Sequence, residues 1–530
     1  MADSTHRGLG SAADDYPPPE NIETHILSLP PEITLSIFFI LAEEHPPSLR
    51  RDSLIDRLGW IPVTHVCRAW RCISISTPGL WCRDLGRLPR ALPEFIERAG
   101  DVLPVDLTAW VEGRRGNSIW FVDAGMSLSR IRSIDVYVAF RLRSLDKFTQ
   151  MLAGNEAPIL ESLTFARDHP THREYDMRKL LYAPRLRCAS FRNIFLPFRA
   201  PSLISLSLYA VQLQPHTVLS DILDIISNSP LLEQLSINEL YVPNDAYGSV
   251  GASKPQMHHL KRIALDPIYS GPSPHAWFLD RLVFPGSTVI SISNALVSTP
   301  LVLAPILMSA TRSIWRDDPP TGLAIRLSLY AVRLDFFSFG TNRLPDRFPS
   351  PTTAKLRASI ELKSTSFLSD LRGAASVSDL STIAILSLHG IGERSVPRAD
   401  TPWVDIYSPL PGVRLLLALD MINAPDMSVL TALGEPFEHG SSSREPLLPH
   451  LEHVGVDARP NVLIFGNSEF SAETLLTALE SRAQLRTSDS PALRSLWIGP
   501  NLNVIPDDPE GEEQVLRRLR VLVPNIYWKE

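Results

Sequence analysis

Three cysteines near the N-terminus are the first residues whose chemistry needs an explanation. Cys67, Cys72 and Cys82 lie within sixteen residues, and clustered thiolates are common ligands of structural zinc. Their spacings contain no Cys-x2-Cys pair, and no histidine follows at ligand spacing. Cys67 stands beside Val66 and Trp70 in an apolar pattern, so we interpret the cysteines as core-packing residues. The sequence therefore predicts no metal site here.

Histidine pairs and glycine motifs also fail to indicate a catalytic or cofactor site. The run Asp168-His169-Pro170-Thr171-His172 is polar and contains proline, which is typical of a solvated loop. His258 and His259 are neighbours on a predicted strand, where adjacent side chains point to opposite faces. No Gly-x-Ser-x-Gly elbow or Walker loop occurs, and Gly390-Ile391-Gly392 lacks the third glycine of a dinucleotide fingerprint. We expect a binding protein, with no enzymatic activity and no cofactor.

Length and composition limit the class of protein further. A chain of 530 residues is too long for one hydrophobic core, so several domains or a repeat array are expected. The 51 Lys and Arg against 58 Asp and Glu give a net charge of −7, which argues against nucleic-acid binding. Residues 1–10 lack the apolar core of a signal peptide, and two prolines interrupt the longest apolar stretch, 295–310. The sequence predicts an intracellular protein, cytoplasmic or nuclear, that binds no membrane.

Helical periodicity begins after a polar tail at residues 1–24. Leu29-Pro30-Pro31-Glu32-Ile33 has the prolines and the acidic residue that favour a first helical turn. The apolar residues that follow share one predicted helical face: Ile33, Ile37, Phe38 and Leu41. A second periodic segment starts near Pro62, and a short third one covers 77–81. The spacing predicts an all-helical domain over residues 25–85.

One eight-residue phrase, Pro-x-Leu-x-x-Leu-x-apolar, returns in the rest of the chain. Its copies begin at Pro158, Pro201, Pro230, Pro449 and Pro491, with looser copies at Ser129, Pro184, Ser378 and around Leu260. The alternation at its end predicts a short strand with one buried face. Helical patterns lie between several copies, for example around Leu219 and Leu475. A strand and a helix every 17 to 30 residues form the unit of a leucine-rich-repeat solenoid, because each unit covers the apolar edge of the last.

We therefore predict an α/β fold in two parts. A short all-helical domain precedes an irregular leucine-rich-repeat solenoid with a parallel sheet over residues 90–528. The copies are unevenly spaced, and they are weak and proline-rich between about 285 and 445. The array is expected to carry a long insertion there or to break into two lobes.

Four short motifs in the helical domain match a known pattern: Leu29-Pro30-x-Glu32-Ile33, Ile37-Phe38-x-x-Leu41, Val66-Cys67-x-x-Trp70 and Leu80-Trp81. Together they resemble the F-box, in particular that of F-box proteins from mushroom-forming fungi with degenerate leucine-rich repeats. The motifs cover residues 25–85, and over the rest of the chain the resemblance is only architectural. Residues 45–59 depart from the pattern as an insertion between the first two helices.

The resemblance implies that the helical domain docks on the Skp adaptor of a cullin–RING ubiquitin ligase. The repeats would hold a protein substrate near the ubiquitin-loaded enzyme, and tethering would raise its effective concentration. Six positions match adaptor-facing or domain-core residues of the motif: Leu29, Pro30, Ile33, Ile37, Val66 and Trp70. Alternatively, these residues only pack the helices together. The chain could also be a leucine-rich-repeat scaffold outside a ligase, or an enzyme with an unfamiliar site.

Substrate contacts are expected on the strand residues that alternate with the apolar ones. Stacked strands would form a ladder of such residues on the concave face: Ser162 and Thr164, Ser205 and Ser207, Gln234 and Ser236, His453 and Gly455, Ser495 and Trp497. From this ladder we predict Gln234, His453 and Trp497 as substrate-binding residues. Trp497 is its one large aromatic residue, and aromatic residues dominate interface energies. Alternatively, the C-terminal segment covers Trp497.

Overall fold

The structure of the protein is a computed structural model that describes part of the chain. The described residues are 29–48, 57–111, 127–138, 151–168, 179–211, 219–238, 240, 254–266, 274–295, 320–327, 332–338, 355–362, 380–389, 403–421, 428–438, 444–458, 472–486, 490–499 and 509–528. The chain divides into two compact units, Met1–Trp110 and Val111–Glu530. The architecture is mixed α/β with parallel strands, as the sequence predicts.

Helices form most of the described first unit. In chain order they are α1 (Pro31–Glu44), a 3-10 helix (Ile61–His65), α2 (Arg68–Ile75), α3 (Pro78–Trp81), a 3-10 turn (Pro89–Ala91) and α4 (Leu92–Ala99). Proline occupies the first or second position of α1, α3 and α4, where a backbone N–H would have no helical partner. Strand β1 (Val105–Val111) follows, and Thr108 N donates to the Leu85 carbonyl over 2.8 Å.

The buried side of helix α1 differs from the side that the helical periodicity predicts. Its buried residues are Thr34, Phe38 and Ala42. Phe38 sets this rotation because its ring packs edge-on against Trp70 of α2, with 5.3 Å between the ring centroids. Thr34 tolerates burial because its hydroxyl donates to the Pro30 carbonyl. Of the predicted stripe only Phe38 is fully buried, whereas Ile37 and Leu41 are half-buried and Ile33 is 49% exposed.

Three aromatic side chains form the centre of the core in the first unit. Trp81 contacts both Trp60 and Phe95 edge-on, with ring centroids 5.0 and 5.1 Å apart. The indole N–H of Trp81 donates to the Ser74 carbonyl over 2.8 Å, which satisfies its buried donor. All three rings are buried, so this unit has a packed core of its own.

The predicted insertion at residues 45–59 lies partly outside the described residues. Where the structure resumes, its two ends meet, because Ser48 N donates to the Arg57 carbonyl over 2.9 Å. Gly59 has a φ of +60°, and a Cβ there would lie 2.3 Å from the His45 carbonyl oxygen. Since a side chain cannot fit, glycine is required where this segment rejoins the end of α1.

The second unit consists largely of short strands. They are β2 (Ile131–Val138), β3 (Ser162–Arg167), β4 (Leu181–Tyr182), β5 (Cys188–Arg192), β6 (Phe198–Arg199), β7 (Ser205–Tyr209), β8 (Gln234–Asn238), β9 (Arg262–Asp266), β10 (Val289–Ala295), β11 (Gly322–Leu327), β12 (Val332–Ser338), β13 (Lys355–Leu362), β14 (Ile385–His389), β15 (Leu415–Met421), β16 (Pro436–Glu438), β17 (Arg444–Pro446), β18 (His453–Ala458), β19 (Ser495–Ile498) and β20 (Asn525–Trp528).

Helices lie between some of these strands. They are α5 (Leu219–Ser227), α6 (Pro274–Arg281), α7 (Trp403–Tyr407), α8 (Ser428–Thr431), α9 (Ala472–Leu485) and α10 (Pro509–Leu522), with 3-10 turns at Leu128–Arg130 and Ala432–Gly434. Helices α5 and α9 contain the predicted helical patterns around Leu219 and Leu475. Most of their apolar residues are buried, and α9 packs against α8, α10, the 3-10 turn at Ala432–Gly434 and β17.

Most strands of the second unit form one sheet, in the order β2-β3-β5-β7-β8-β9-β10-β13-β12-β11-β14-β15-β18-β19-β20. Strands with copies of the phrase are direct parallel neighbours over β3, β5, β7, β8 and β9, and again over β18 and β19. The prediction that successive copies lie side by side as parallel strands is confirmed for these copies. Two small strand pairs, β4 with β6 and β16 with β17, lie apart from this sheet.

The same turn precedes β3, β7, β8, β9 and β18. The N–H of the first apolar residue donates to the carbonyl three residues earlier: Leu160 to Ala157, Leu203 to Ala200, Leu232 to Ser229, Leu260 to Met257 and Leu451 to Leu448. The following residue donates to the matching residue of the neighbouring copy, as Lys261 N does to the Glu233 carbonyl over 2.8 Å. The apolar positions of the phrase are buried as predicted, since they face away from the open side of the strand.

Strand direction reverses once in the region where the phrase weakens. Strand β12 is antiparallel to β11 and β13, while β13 and β11 are parallel to β10 and β14. Gly322 faces Phe337 across the β11–β12 pair, and a Cβ on Gly322 would lie 2.2 Å from that ring. The sheet therefore continues through the predicted interruption by inserting one reversed strand.

Candidate functional site

Exposed apolar side chains occur on α1 and on the residue before the cap of α2. Ile33 and Ile40 are 49% and 56% exposed, and Val66 is 61% exposed. We call these three residues the outer surface of the first unit. The other predicted adaptor-facing residues are Pro30, which is exposed, and Leu29 and Ile37, which are half-buried. Single exposed apolar residues are ordinary, but several on neighbouring helices are typical of an interaction surface.

Trp70 has a structural role in this arrangement. Its side chain is half-buried against Phe38, and its backbone N–H donates to Sγ of Cys67 over 3.5 Å, so Cys67 caps α2. The prediction of core-packing cysteines is right for Cys82 alone, because Cys67 is half-buried and Cys72 is exposed. We therefore assign Trp70 to the contacts that hold the helices together.

Asp84 is a buried ionisable group in the first unit. Its Oδ1 lies 2.8 Å from Nε of Arg87, and the residue is 4% exposed. Burial raises the pKa of Asp84 to about 6, and the Arg87 guanidinium opposes this rise. Because the carboxyl is enclosed, its protonation acts on the stability of the unit and not on a ligand.

Small polar residues alternate with buried ones along β3, β7 and β8, as predicted. The alternating residues are half-buried or exposed: Ser162, Thr164, Ser205, Ser207, Gln234 and Ser236. Strand register places Gln234 between Ser205 of β7 and Arg262 of β9. This face is polar and open along the described strands β3 to β9. The substrate-binding role of Gln234 stays a prediction.

The same face becomes apolar across the C-terminal strands. Trp497 is 7% exposed, and its ring lies 5.9 Å from the ring of Tyr527 and 5.5 Å from that of His453. It belongs to a buried cluster with Ile385, Leu415 and Leu417. The prediction of an exposed Trp497 is therefore wrong, and the alternative of cover by the C-terminal segment agrees with the Tyr527 contact. Trp497 is covered because β20 adds a further parallel strand beyond β19 and places Tyr527 next to Trp497.

Three charged residues directly before β15, β18 and β19 form an ion network, which we call the arginine clamp: Arg414, Glu452 and Arg494. Oε1 of Glu452 lies 2.8 Å from Nε and 2.6 Å from Nη2 of Arg414. Oε2 of Glu452 lies 3.0 Å from Nε of Arg494. The Glu452 side chain is 8% exposed, whereas those of Arg414 and Arg494 are 43% and 65% exposed. The clamp has its carboxylate inside and its guanidinium groups at the surface.

His453 lies beside the clamp and contacts a serine. Its Nδ1 is 2.6 Å from Oγ of Ser495, and its Nε2 is 3.9 Å from Oε2 of Glu452. Burial lowers the pKa of His453, the Glu452 carboxylate raises it, and the two guanidinium groups lower it. Serine, imidazole and carboxylate also form hydrolase triads. Here Ser495 is buried, and Glu452 accepts from Arg414 and forms an ion pair with Arg494, so the arrangement suits side-chain positioning more than nucleophilic attack.

The remaining histidine candidates have no common site in the structure. His258 and His259 are exposed residues in the turn before β9. Residues 169–172 and 390–392 lie outside the described residues. Within the described part of the chain, no three His, Cys, Asp or Glu side chains are grouped so that they could hold a metal ion. None of the helices in that part is both long enough and apolar enough to cross a membrane.

Sequence reasoning missed the arginine clamp although its residues share one position of the phrase. Each follows the first apolar residue of a copy: Val413, Leu451 and Leu493. Stacking the copies would place Arg414, Glu452 and Arg494 side by side, and the structure does so. The copy at Pro411 was hidden because Val413 replaces the expected leucine.

No protein-family model matches the sequence, and no curated protein matches it. Functional inference therefore rests on the residues and their geometry.

Proposed function

We propose that this chain is the substrate receptor of a Skp–cullin–F-box ubiquitin ligase. The first unit would dock on the Skp adaptor, and the sheet of the second unit would bind a protein substrate. The observation that carries the proposal is the exposed outer surface, Ile33, Ile40 and Val66, on a helical unit whose motifs resemble the F-box.

Two properties of the outer surface support a docking role. First, it is not a core left open, because Phe38, Trp60 and Trp81 already provide a packed interior on other sides of the helices. Second, Ile33 and Val66 match motif positions that are adaptor-facing or domain-core, and their exposure favours the adaptor-facing role. Removing apolar surface from water favours association, and the affinity is what remains of that gain after the ordering costs of binding.

The parallel strands of the second unit support a receptor role. On our proposal they form a leucine-rich-repeat solenoid, in which backbone hydrogen bonds join the turn of each copy to the neighbouring copy. Such arrays bind proteins through the open side of their strands. The polar face from β3 to β9, which includes Gln234, and the edge near His453 would then be the substrate side.

Co-purification with a Skp adaptor tests the proposal. Ile33→Asp and Val66→Asp place a charge in the expected interface, so each should reduce adaptor capture at least about tenfold. Val102→Asp is the matched control, because Val102 is 91% exposed in the same unit but lies outside the outer surface. It should leave capture unchanged. Trp70 is unsuitable for this test, since its contact with Phe38 makes any change structural.

The melting temperature of each variant shows whether the first unit still folds. Undiminished capture by folded Ile33→Asp and Val66→Asp variants would rule out docking through this surface. Absence of any complex between the wild-type chain and the adaptor would refute the proposal as a whole. A complex that contains the adaptor but never a cullin would favour the scaffold alternative.

A further inference from the structure

We propose that the arginine clamp is a carboxylate-binding site that receives an acidic side chain of a bound protein. This inference rests on the proposed function, because it specifies the chemistry of the protein segment that the second unit would hold.

The clamp has one more positive charge than an ion pair between two neighbouring strands needs. At the same phrase position before β8 and β9, Glu233 and Lys261 form a one-to-one ion pair with 2.8 Å between Nζ and Oε1. In the clamp, one carboxylate is shared by Arg414 and Arg494. One positive charge of the clamp therefore stays unbalanced by the described side chains around it.

The clamp also presents oriented hydrogen-bond donors to solvent. A guanidinium has five N–H groups in a planar fork. Arg494 contacts Glu452 through Nε, and Arg414 does so through Nε and Nη2. The donors on both Nη atoms of Arg494 and on Nη1 of Arg414 thus have no partner among the described residues. Because Glu452 holds Arg414 through a hydrogen bond and Arg494 through a 3.0 Å ion contact, a second carboxylate would bind with less ordering cost than at a free arginine.

The position of the clamp suits a bound protein segment. Register aligns Leu415, His453 and Ser495, the first residues of β15, β18 and β19, directly after the three clamp residues. An acidic residue at the clamp would therefore place its chain neighbours beside the half-buried His453. Carboxylates match the paired donors of a guanidinium in geometry and charge, which a cation or an apolar group does not.

Peptide titration of the full chain tests this inference. The probes are acetyl-tetraglutamate amide and acetyl-tetraglutamine amide at equal ionic strength, followed by NMR of the arginine Nε–H signals. The glutamate peptide should shift the signals of Arg414 and Arg494, and the glutamine peptide should not. Arg494→Gln should weaken glutamate-peptide binding at least about tenfold, since it removes a charged two-donor contact. Arg520→Gln is the control, because Arg520 is an exposed arginine of helix α10 that belongs neither to the clamp nor to the strand face proposed for the substrate.

Equal binding of the two peptides would overturn the inference, as would undiminished binding by Arg494→Gln or an equal loss in Arg520→Gln. If Arg494→Gln does not fold, Arg494→Lys replaces it. Lysine keeps the charge without the fork, so unchanged affinity in that variant would contradict the proposed geometry. Adaptor capture is measured on the same preparations. Loss of peptide binding with capture retained would refute the carboxylate site and leave the proposed function standing.

Discussion

His275 should make the second unit sensitive to mild acid. The residue lies in the first turn of α6 and is 3% exposed. Burial lowers the pKa of its imidazole from 6.5 to about 4, and a backbone interaction with Ile237 opposes this shift. Between these two values the folded unit keeps His275 neutral, while the unfolded chain protonates it.

The size of the effect follows from proton linkage. Above pH 6.5 the imidazole is neutral in both states and does not change the free energy of unfolding. As the pH falls below 6.5, the unfolded chain binds the proton first, so the folded unit loses stability. The loss amounts to about 2 kcal/mol at pH 5 and about 3 kcal/mol at pH 4. His275→Leu has a similar volume and no titrating group, so it should remove this dependence.

Hydrogen exchange of the amides in β8 and β9 is the appropriate assay, because it reports the opening of the second unit separately from the first. After correction for intrinsic exchange, the wild type should lose about 2 kcal/mol between pH 7 and pH 5. His275→Leu should lose much less. His259→Gln removes an exposed histidine of the same unit and should behave like the wild type. Equal pH dependence in the wild type and His275→Leu would refute the reasoning.

Three further substitutions have expected effects. Asp84→Asn should stabilise the first unit at pH 7 by about 2 kcal/mol. The pKa of Asp84 in the folded unit is about 6, above the ordinary 3.8, so the folded unit is more stable in acid and loses this stability as the pH rises through 6. Urea unfolding followed by tryptophan fluorescence measures the gain, and equal stability at pH 7 would contradict it. Gly412→Ala should lower stability by roughly 2 kcal/mol or more, because its Cβ would lie 1.9 Å from the Ser381 carbonyl oxygen; an unchanged melting temperature would show that the turn can open. Glu452→Gln should destabilise the second unit by about 1 to 2 kcal/mol, since the nearly buried carboxylate is lost while both guanidinium groups keep their contact with solvent. Glu233→Gln, in a more exposed pair, should cost less than about 1 kcal/mol, and similar losses in both variants by thermal unfolding would argue against a special role for the clamp.

The sheet of the second unit could be predicted because its signal is local and repeated. In each copy such as Leu203-x-x-Leu206-x-Leu208, the apolar spacing determines which side chains are buried, and the copies bury each other's edges. A single polar residue between two apolar ones is enough to predict that successive side chains of the strand alternate between a buried and an open face. The copy before β15 is hard to recognise in the sequence because Val413 occupies the position of the first leucine and Gly412 occupies the variable position before it. The reversal at β12 has no counterpart in the phrase.

The candidate sites were predicted less completely, because they depend on contacts between distant residues. Helix α1 is apolar on two faces, so its sequence alone cannot decide which face is covered. The contact between Phe38 and Trp70 decides it and leaves Ile33 outside. Likewise, Trp497 has the alternation of an exposed residue, but the neighbouring strand brings Tyr527 against it.

The amino-acid sequence by itself determined the local elements: where helices begin at prolines, which strand residues face inward, and that successive copies align in parallel. These follow from side-chain type and spacing along one chain segment. The tertiary structure alone decided which apolar face of α1 remains exposed, that Trp497 is buried, and that Arg414 and Arg494 share Glu452. The physical reason is that burial and ion pairing depend on three-dimensional neighbours, and these neighbours come from elements thirty or more residues apart in the chain.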